Sequence, residues 1–474
     1  MNLVKGNPMR RLKFMAPVLI LLLGGSQTNW AEDTAVPPKL SLADAVVLAL
    51  DVNVGLKGAR EAHQTAQSQL RIAGFKTSYD IGADMSLERT PGESRLSNRI
   101  FSSLSYRNLA GTRGTLSLAP FAQGSRRNSL QLSLSHPLVR RKGPLSEKAE
   151  QVRRARSGLS IQSRELYRSQ QSMVFSVVRA YYDAVKAQEE VKIQERALAL
   201  VEDTAKRARR LEEERLGRGI DVYRAEVQVA QTKDRLNLQR ESARAAVDEL
   251  MLAIGVGVGQ TPELTDTVPD TDVAAPSLEE AIKKALANRP ELFTYDERLT
   301  DRERDLAIAR DELRTGLDLV ASFSSFDWES GSISSSLFDQ GSFTTGLQFR
   351  FPLDRRILRE ERDTVERQLG ILREERSFQV EEIADDVRSA FRALEATSTS
   401  LDIFSQNLEV AKQNLHMAER MLEEGEADNR DVLEAQEDLA NVESNITSAT
   451  IDLFLATMAL KHATGEDLTT MVSK

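Results

Sequence analysis

The sequence predicts a mostly α-helical protein with a smaller β part, built from two internal repeats. Long runs without proline carry apolar residues at every seventh position, which is typical of coiled-coil helices. Shorter segments alternate polar and apolar residues, as β-strands do. The stretch "GIDVYRAEVQV" at 219–229 resembles "NRDVLEAQEDL" at 429–439, and Asp221 matches Asp431 at a shift of 210 residues. Matching motifs at one fixed shift indicate a duplicated unit.

Composition limits the class of protein. The chain has 474 residues, a net charge of −9, 28% charged and 5% aromatic side chains, and no cysteine. This pairing of many charged and few aromatic residues suits long exposed or coiled helices better than a compact enzyme core. The acidic balance argues against nucleic acid as a partner. Without cysteine, the chain has no disulfides, thiolate nucleophiles or sulfur-rich metal sites.

The N-terminus predicts a cleaved export signal over residues 1–31. Basic residues at 10–13 precede an apolar run from Phe14 to Leu23, and a small, polar stretch leads to Ala31, after which we expect cleavage. The apolar run is about half of the ~20 residues that span a bilayer. No later stretch has 18 consecutive apolar residues, so we expect no transmembrane helix in the mature protein.

The first repeat is predicted to span residues 40–255. It opens with a Ser-capped amphipathic helix at Ser41, in "SLADAVVLALDVNVGL". Strands over 79–140, a long helix over 145–215 and a return helix over 220–255 follow in order. A linker over 256–276 carries the Gly and Pro residues that punctuate chains.

The second repeat, predicted over residues 277–465, follows the same plan. Its first helix begins at Ser277, in "SLEEAIKKALANRPEL". It continues with strands over 317–353, a long helix over 354–424 and a return helix over 429–464, and a C-terminal tail occupies 466–474.

The long helices are predicted from strict heptads. One ladder in the second repeat comprises Val380, Val387, Leu394, Leu401, Leu408, Leu415 and Leu422. About 70 helical residues extend roughly 100 Å, and seven-residue repetition implies left-handed coiling against partner helices. A soluble coiled coil without a pore explains these heptads equally well.

The predicted strands are "YDIGADMSLERT" (79–90), "NSLQLSLSHPLVR" (128–140), "LDLVASFSSF" (317–326) and "GSFTTGLQFRFPL" (341–353). Their length of about ten residues is that of a tilted transmembrane strand. The stretch between the first two predicted strands is longer than the stretch between the last two. It leaves room for an added hairpin, in "FSSLSY" and "GTLSLAPF". Four strands cannot close a barrel, and an open edge cannot face lipid. Either the strands form a soluble sheet, or several chains pool them.

No catalytic, cofactor or metal site is predicted. The histidines His63, His136, His416 and His462 are scattered without metal-ligand spacing, and the two on helices, His416 and His462, are expected at the surface. The glycines of "GVGVG" (255–259) end a helix and lack the Lys-Ser/Thr of a phosphate loop.

The order of these elements resembles the TolC family of outer-membrane efflux proteins. The resemblance covers residues 40 to about 466 and is carried by the paired "SLxxA" starts, "HPL" (136–138), "FPL" (351–353) and "DVLEAQEDLANVESN" (431–445). It implies a homotrimer with a long antiparallel coiled-coil α-barrel. Each chain would add four strands to one shared 12-stranded transmembrane β-barrel.

The resemblance also implies a function. A channel of this kind lies in the outer-membrane lipid of a Gram-negative-type cell and extends into the periplasm. It gives passive exit, in efflux or type I secretion, to substrates delivered by an inner-membrane pump through a periplasmic adaptor protein. It is not an enzyme.

For the periplasmic entrance, the resemblance implies a ring of Asp431 and Glu434, although the family pattern has aspartate at the second position. Asp221 matches an acidic closing link, whose usual arginine partner would align near Ala427. Arg224 or Arg430 would then take its place. Without the resemblance, Asp431 is a helix-start carboxylate favoured by the helix dipole and Glu434 is a solvated residue. Asp221 and Arg224 could pair on their own helix.

Two other classes stay open from the sequence. A periplasmic or surface coiled-coil scaffold would hold its strands in a soluble sheet without a continuous lipid-facing apolar band. A periplasmic adaptor would carry one helical hairpin flanked by β domains, and the doubled plan counts against it.

Overall fold

The computed structural model describes residues 37–90, 93–123, 129–215, 218–268, 276–326, 341–424 and 426–472. The predicted export signal at 1–31 lies outside these residues, as do residues 269–275 of the predicted linker and residues 327–340. Within the described ranges, no helix combines the length and apolarity needed to cross a membrane.

The first half contains two short helices, five strands, a long helix and a return helix. The elements are β1 (Lys39–Leu40), α1 (Leu42–Val52), α2 (Val54–Gly74), β2 (Thr77–Thr90), β3 (Glu93–Arg107), β4 (Arg113–Gln123), β5 (Ser129–Pro137), α3 (Glu147–Glu213) and α4 (Gly219–Ile254). A 3-10 turn at Gly143–Leu145 precedes α3, whose N-cap is Ser146.

The second half has the same order with two fewer strands. The elements are β6 (Glu263–Leu264), α5 (Leu278–Asn288), α6 (Pro290–Glu312), β7 (Gly316–Phe326), β8 (Gly341–Arg350), α7 (Arg356–Glu423), α8 (Asn429–Ala463) and α9 (Thr469–Val472). The long helices α3 and α7 have 67 and 68 residues, and the return helices α4 and α8 have 36 and 35. The long and return helices agree closely with the predicted ranges. That the halves arose by duplication stays a prediction.

The first helix of each half is broken into two, and a glycine packs against each break. Gly255 ends α4 with φ +97°, and a Cβ there would lie 3.0 Å from Asn53 Cα. Gly465 follows α8 with φ +71°, and its Cβ would lie 3.2 Å from Asn288 Cβ. Both glycines adopt backbone that other residues reach only with strain. Gly255 and Gly465 are separated by the same 210 residues as Asp221 and Asp431, and they have the same structural role.

The main sheet has six strands, in the order β2-β3-β4-β5-β7-β8, and every neighbouring pair is antiparallel. The expectation of four strands per chain is therefore wrong. The sequence left room for an added hairpin, and β3 and β4 form it within the same sheet. Within the described residues the sheet is open, with β2 and β8 at its edges, so no closed barrel forms in one chain.

The added hairpin is held firmly to the start of α3. The turn between β3 and β4 contains Gly111, where a Cβ would lie 2.7 Å from Pro137 Cγ. Ser146 Oγ donates to Leu109 O at 2.8 Å, and Thr112 Oγ1 bonds His136 Nδ1 at 2.9 Å. The hairpin is an integral part of the sheet because its turn packs on the strand-to-helix junction.

The two faces of the sheet differ sharply. One row of directly paired residues crosses all six strands and is entirely apolar or aromatic: Tyr79, Leu104, Leu116, Leu132, Phe323 and Phe343. The adjacent row on the opposite face consists only of hydroxyl side chains: Ser78, Ser105, Thr115, Ser133, Ser322 and Thr344. Successive residues of a strand point to opposite faces, which produces this separation.

The helical body has two large cores and two small clusters at the hairpin tips. One surrounds the middle of α3, where Val174, Val177 and Tyr181 are fully buried with the ends of α1 and α4. The other joins α5, α7 and α8 around Ile383 and Val387. Burial of these apolar side chains is the main stabilising contribution to the body.

The predicted C-terminal tail packs on the body. Gln171 of α3 donates to Asp467 Oδ1 at 2.9 Å and accepts from Leu468 N at 2.8 Å. Nearby, His462 stacks on Phe175 with ring centroids 5.2 Å apart. His462 is therefore half-buried, where the sequence led us to expect a surface residue. Burial lowers its pKa, and the positive charge of Arg289 lowers it further.

Candidate functional site

The expected entrance residues lie where the return helices begin, at the tips of the two helical hairpins. At the start of α8, Asp428 N donates to Asp431 Oδ2 at 3.0 Å and Asp428 caps the first turn in return. This reciprocal capping satisfies backbone donors that a helix start leaves unpaired. Asp431 therefore has a structural role at the helix start, whatever else its carboxylate does.

The start of α8 has one packed face and one exposed acidic face. Val432 and Ala435 pack against α7, and Leu433 packs against Ala205 of α3 and Ala225 of α4. The exposed face presents Asp431, Glu434 and Asp438, spaced three and four residues apart. This helical spacing aligns three carboxylates along one stripe.

The acidic stripe borders a groove of about 790 Å³ between α4 and α8. From α4 the groove receives Tyr223, Arg224 and Val227, and from α8 it receives Arg430 and Glu434, among others. The groove therefore brings together cationic and anionic side chains from both hairpins. Three of the five expected site residues, Arg224, Arg430 and Glu434, line it.

The ionic contacts at the tip are local. Arg224 Nη1 lies 3.7 Å from Asp221 Oδ1 on the same helix. The Asp221 side chain is 15% exposed, whereas Arg224 is 50% exposed. Within the described ranges, the Arg430 side chain has no ion pair, and its backbone N–H donates to Asp428 Oδ1 at 2.9 Å. Pairing of Asp221 with Arg224 on α4 is thus the arrangement in this structure.

Different residues link the two hairpins. Glu437 of α8 binds Arg235 at 2.7 Å and Gln228 at 3.2 Å, both from α4. Deeper in the interface, Gln436 Nε2 donates to Thr204 Oγ1 of α3 at 3.1 Å, and both side chains are buried. Sequence reasoning missed these links. The one available signal was the polar Gln436, which lies four residues after Val432 on the packed face of α8.

Further from the tip, the same seam carries two more ion pairs. Arg196 of α3 lies 3.1 Å from Glu443, and Lys186 lies 3.5 Å from Asp452. Ion pairs between α3 and α8 therefore continue along the helices beyond the small cluster around Leu433 at the tip. Exposed ion pairs of this kind contribute little stability.

Comparison with known proteins identifies similar outer-membrane proteins. The family model for outer membrane efflux proteins matches residues 281–466. The outer membrane efflux protein BepC of Brucella suis biovar 1 (strain 1330) is 24% identical over 316 residues, which are 66% of this chain and 68% of BepC.

Solved structures show the same fold. The outer membrane protein VceC from Vibrio cholerae has a TM-score of 0.68 at 16% identity, covering 90% of this chain and 96% of VceC. The open state of the Neisseria gonorrhoeae outer membrane channel MtrE has a TM-score of 0.69 at 16% identity, covering 90% of this chain and 89% of MtrE.

Proposed function

We propose that this chain, which matches the family model for outer membrane efflux proteins over residues 281–466, forms a trimeric outer-membrane channel for passive exit of solutes or polypeptides. A periplasmic adaptor and an inner-membrane pump would deliver the cargo to the helical end. The family match and the shared fold with outer-membrane channels support this role.

The apolar face of the sheet is the observation that carries the proposal. Five side chains on this face are between 47% and 69% exposed in one chain: Tyr79, Leu132, Phe343, Leu347 and Phe349. A continuous exposed apolar band of this size is rare on a soluble protein. Apolar residues outside and polar residues inside are the pattern of a transmembrane β-barrel. The scaffold alternative expected no such band, so the band counts against it.

The open edges support assembly from several copies. β2 and β8 run in opposite directions because the sheet has an even number of antiparallel strands. The β8 edge of one copy can therefore continue the ladder onto β2 of the next. Closure of this kind satisfies the backbone groups that lipid would otherwise leave unpaired. Three copies would give eighteen strands, where the resemblance implied twelve, and barrels of this size hold an aqueous channel.

At the other end, we place the periplasmic entrance at the hairpin tips. Asp431 and Glu434 of three copies would form an acidic ring that attracts cations and repels anions. Asp221, Arg224 and Arg430 would take part in closing it, with the links at Glu437 as additional candidates.

Membrane fractionation and single-channel recording test the main proposal. We expect the protein in the outer-membrane fraction, trimeric in detergent, and conducting in planar bilayers. A freely soluble monomer in the periplasm that forms no pores would contradict it.

Cysteine cross-linking tests the edge pairing. Ile81→Cys on β2 is combined in turn with cysteines at outward-facing positions of β8, such as Leu347→Cys. We expect covalent trimers for at least one pair. Ile81→Cys with Leu132→Cys is the matched control, because β5 is an inner strand. If every cysteine pair gave only monomers and no covalent dimers or trimers, the shared barrel would be contradicted.

Charge-neutral replacements test the entrance. Asp431→Asn keeps an oxygen for the Asp428 N–H, so the helix start should survive the loss of charge. With Glu434→Gln, we expect weaker cation selectivity and weaker block by a trivalent cation added from the periplasmic side. The control pair Glu381→Gln and Asp385→Asn, exposed on α7, should leave that block unchanged. Equal block in all three proteins would show that Asp431 and Glu434 do not form the ring.

A further inference from the structure

A basic pocket of about 370 Å³ lies where the polar face of the sheet meets the start of α3. Six cationic side chains line it: Arg107, Arg113, Arg140, Arg141, Lys148 and Arg350. Only three carboxylates accompany them: Glu147, Glu312 and Asp318. The pocket therefore carries a surplus of positive charge in a protein whose net charge is −9.

The carboxylates do not neutralise the whole set. Glu147 binds Arg113 at 3.1 Å and lies 3.9 Å from Arg107. Glu312 lies 3.8 Å from Arg141. In the described part of the chain, the other three cations have no carboxylate partner: Arg140, whose Nη1 donates to a backbone oxygen, Lys148 and Arg350.

Lys148 gives the strongest indication that the pocket binds an anion. It is 8% exposed, lines the pocket, and has neither an ion pair nor a hydrogen bond among the described residues. Burial lowers the pKa of Lys148, and the positive charge of Arg107 lowers it further. The Lys148 ammonium has no counter-ion among the described residues, so an anion in the pocket would give it a charge-assisted partner.

The added hairpin creates much of this pocket. Arg107 ends β3 and Arg113 begins β4, and the turn between them packs on the strand-to-helix junction. Arg350, at the end of β8, contributes from the opposite side. A sheet of only four strands would lack Arg107 and Arg113.

We propose that this pocket binds a polyvalent oxyanion, through the phosphate or carboxylate groups of a solute that passes through the channel. The proposal rests on the proposed function, because the polar face becomes the wall of the lumen only in the closed barrel. Three pockets then form a basic belt at the junction of the sheet and the long helices. Guanidinium groups suit the recognition, since they bind phosphate and carboxylate oxygens in pairs.

Calorimetry with inorganic tripolyphosphate tests the pocket directly. Full-length protein in a neutral detergent should bind one tripolyphosphate per chain. The variant Lys148→Gln with Arg350→Gln should bind about tenfold more weakly or worse, since charge-assisted bonds are lost. The control Arg356→Gln with Arg359→Gln removes two exposed positive charges from α7 and should bind as the wild type does. Circular dichroism confirms that each variant is folded.

Single-channel recording in phosphatidylcholine bilayers gives the second measurement and excludes anionic lipid as the ligand. Tripolyphosphate added from the extracellular side should reduce the current through wild-type and control channels, and less so through the Lys148 and Arg350 variant. Conducting channels that bind no tripolyphosphate, or equal binding by all three proteins, would overturn the pocket alone. Intact binding without pores would instead overturn the channel.

Discussion

The ionic cluster between α3 and α6 gives a quantitative test of how the two halves are held together. Glu150, near the start of α3, is 6% exposed. It accepts from Arg153 at 3.0 and 3.2 Å and from Arg154 at 2.7 Å. Arg153 also binds Asp301 of α6, and Arg154 binds Asp305 at 2.6 Å. Glu150 is therefore the buried centre of a network that crosses from the first half to the second.

Glu150→Gln keeps the side-chain volume and removes the charge. Removing one partner of a buried ion pair destabilises by about 3–5 kcal/mol. Glu150 also lies 3.4 Å from Arg304 of α6, which has a second bond, to Pro144 O. Because Arg153 and Arg154 each retain an aspartate on α6 and Arg154 is 60% exposed, we expect a smaller loss, about 2–3 kcal/mol.

The same substitution should change the response to acid. Burial raises the pKa of Glu150, but the hydrogen bonds and charges of Arg153 and Arg154 outweigh it and leave the pKa below its ordinary value. A carboxylate with a lowered folded pKa stabilises above its unfolded pKa, and that stability is lost as pH falls through the folded pKa. The wild type should therefore lose more stability on acidification than the variant does.

Thermal melting in detergent, followed by circular dichroism at several pH values, measures both effects. Glu165→Gln is the matched control on the same helix. Glu165 pairs with Arg168 at 2.7 Å but is 46% exposed, so its loss should cost about 0.2–1 kcal/mol. Equal melting temperatures for the two variants, with the acid response unchanged, would refute the assignment of Glu150 as the centre of the network.

Three further outcomes are expected in the same melting experiment. Tyr181→Phe removes a buried hydroxyl that donates to Leu40 O at 3.0 Å and accepts from Asp266 N at 3.3 Å. The substitution should destabilise the protein by about 1–3 kcal/mol. An unchanged melting temperature would show that water or another group replaces the hydroxyl. Gly465→Ala should destabilise by about 1–2 kcal/mol because of its positive φ, whereas Gly370→Ala, within α7 and open to solvent, should not. His462 has a lowered folded pKa, so stability should fall as pH drops below its unfolded value of 6.5, and His462→Gln should remove this dependence.

The helical part of the fold could be predicted because its signals are local. Heptad ladders predict where α3 and α7 lie, and both helices begin and end within about two residues of the predicted ranges. The contact of Asp221 with Arg224 was also an alternative from the sequence, since i,i+3 pairs require only a helix.

The number of strands and the hairpin links could not be predicted because they depend on distant pairing. The sequences of β3 and β4 alternate polar and apolar residues as strands do. They contain no signal, however, that β5 pairs with β4 on one side and β7 on the other. Likewise, Glu437 meets Gln228 across 209 residues. That contact depends on how α8 is rotated against α4, which a heptad pattern determines only roughly.

The two charged features of the proposed conduit should act independently. Lys148 is at the start of α3, and the hairpin tip lies past its end at Glu213; 67 helical residues extend about 100 Å. Charges interact over a Debye length of about 8–10 Å at physiological salt, so neither feature alters the other's field. A solute from the periplasm would meet the acidic tip first and the basic belt later. Changes at Asp431 and Glu434 should therefore alter block by cations only, and changes at Lys148 and Arg350 block by anions only. If either pair of changes altered both kinds of block, the two sites would lie on one shared constriction, which α3 as a continuous helix does not allow.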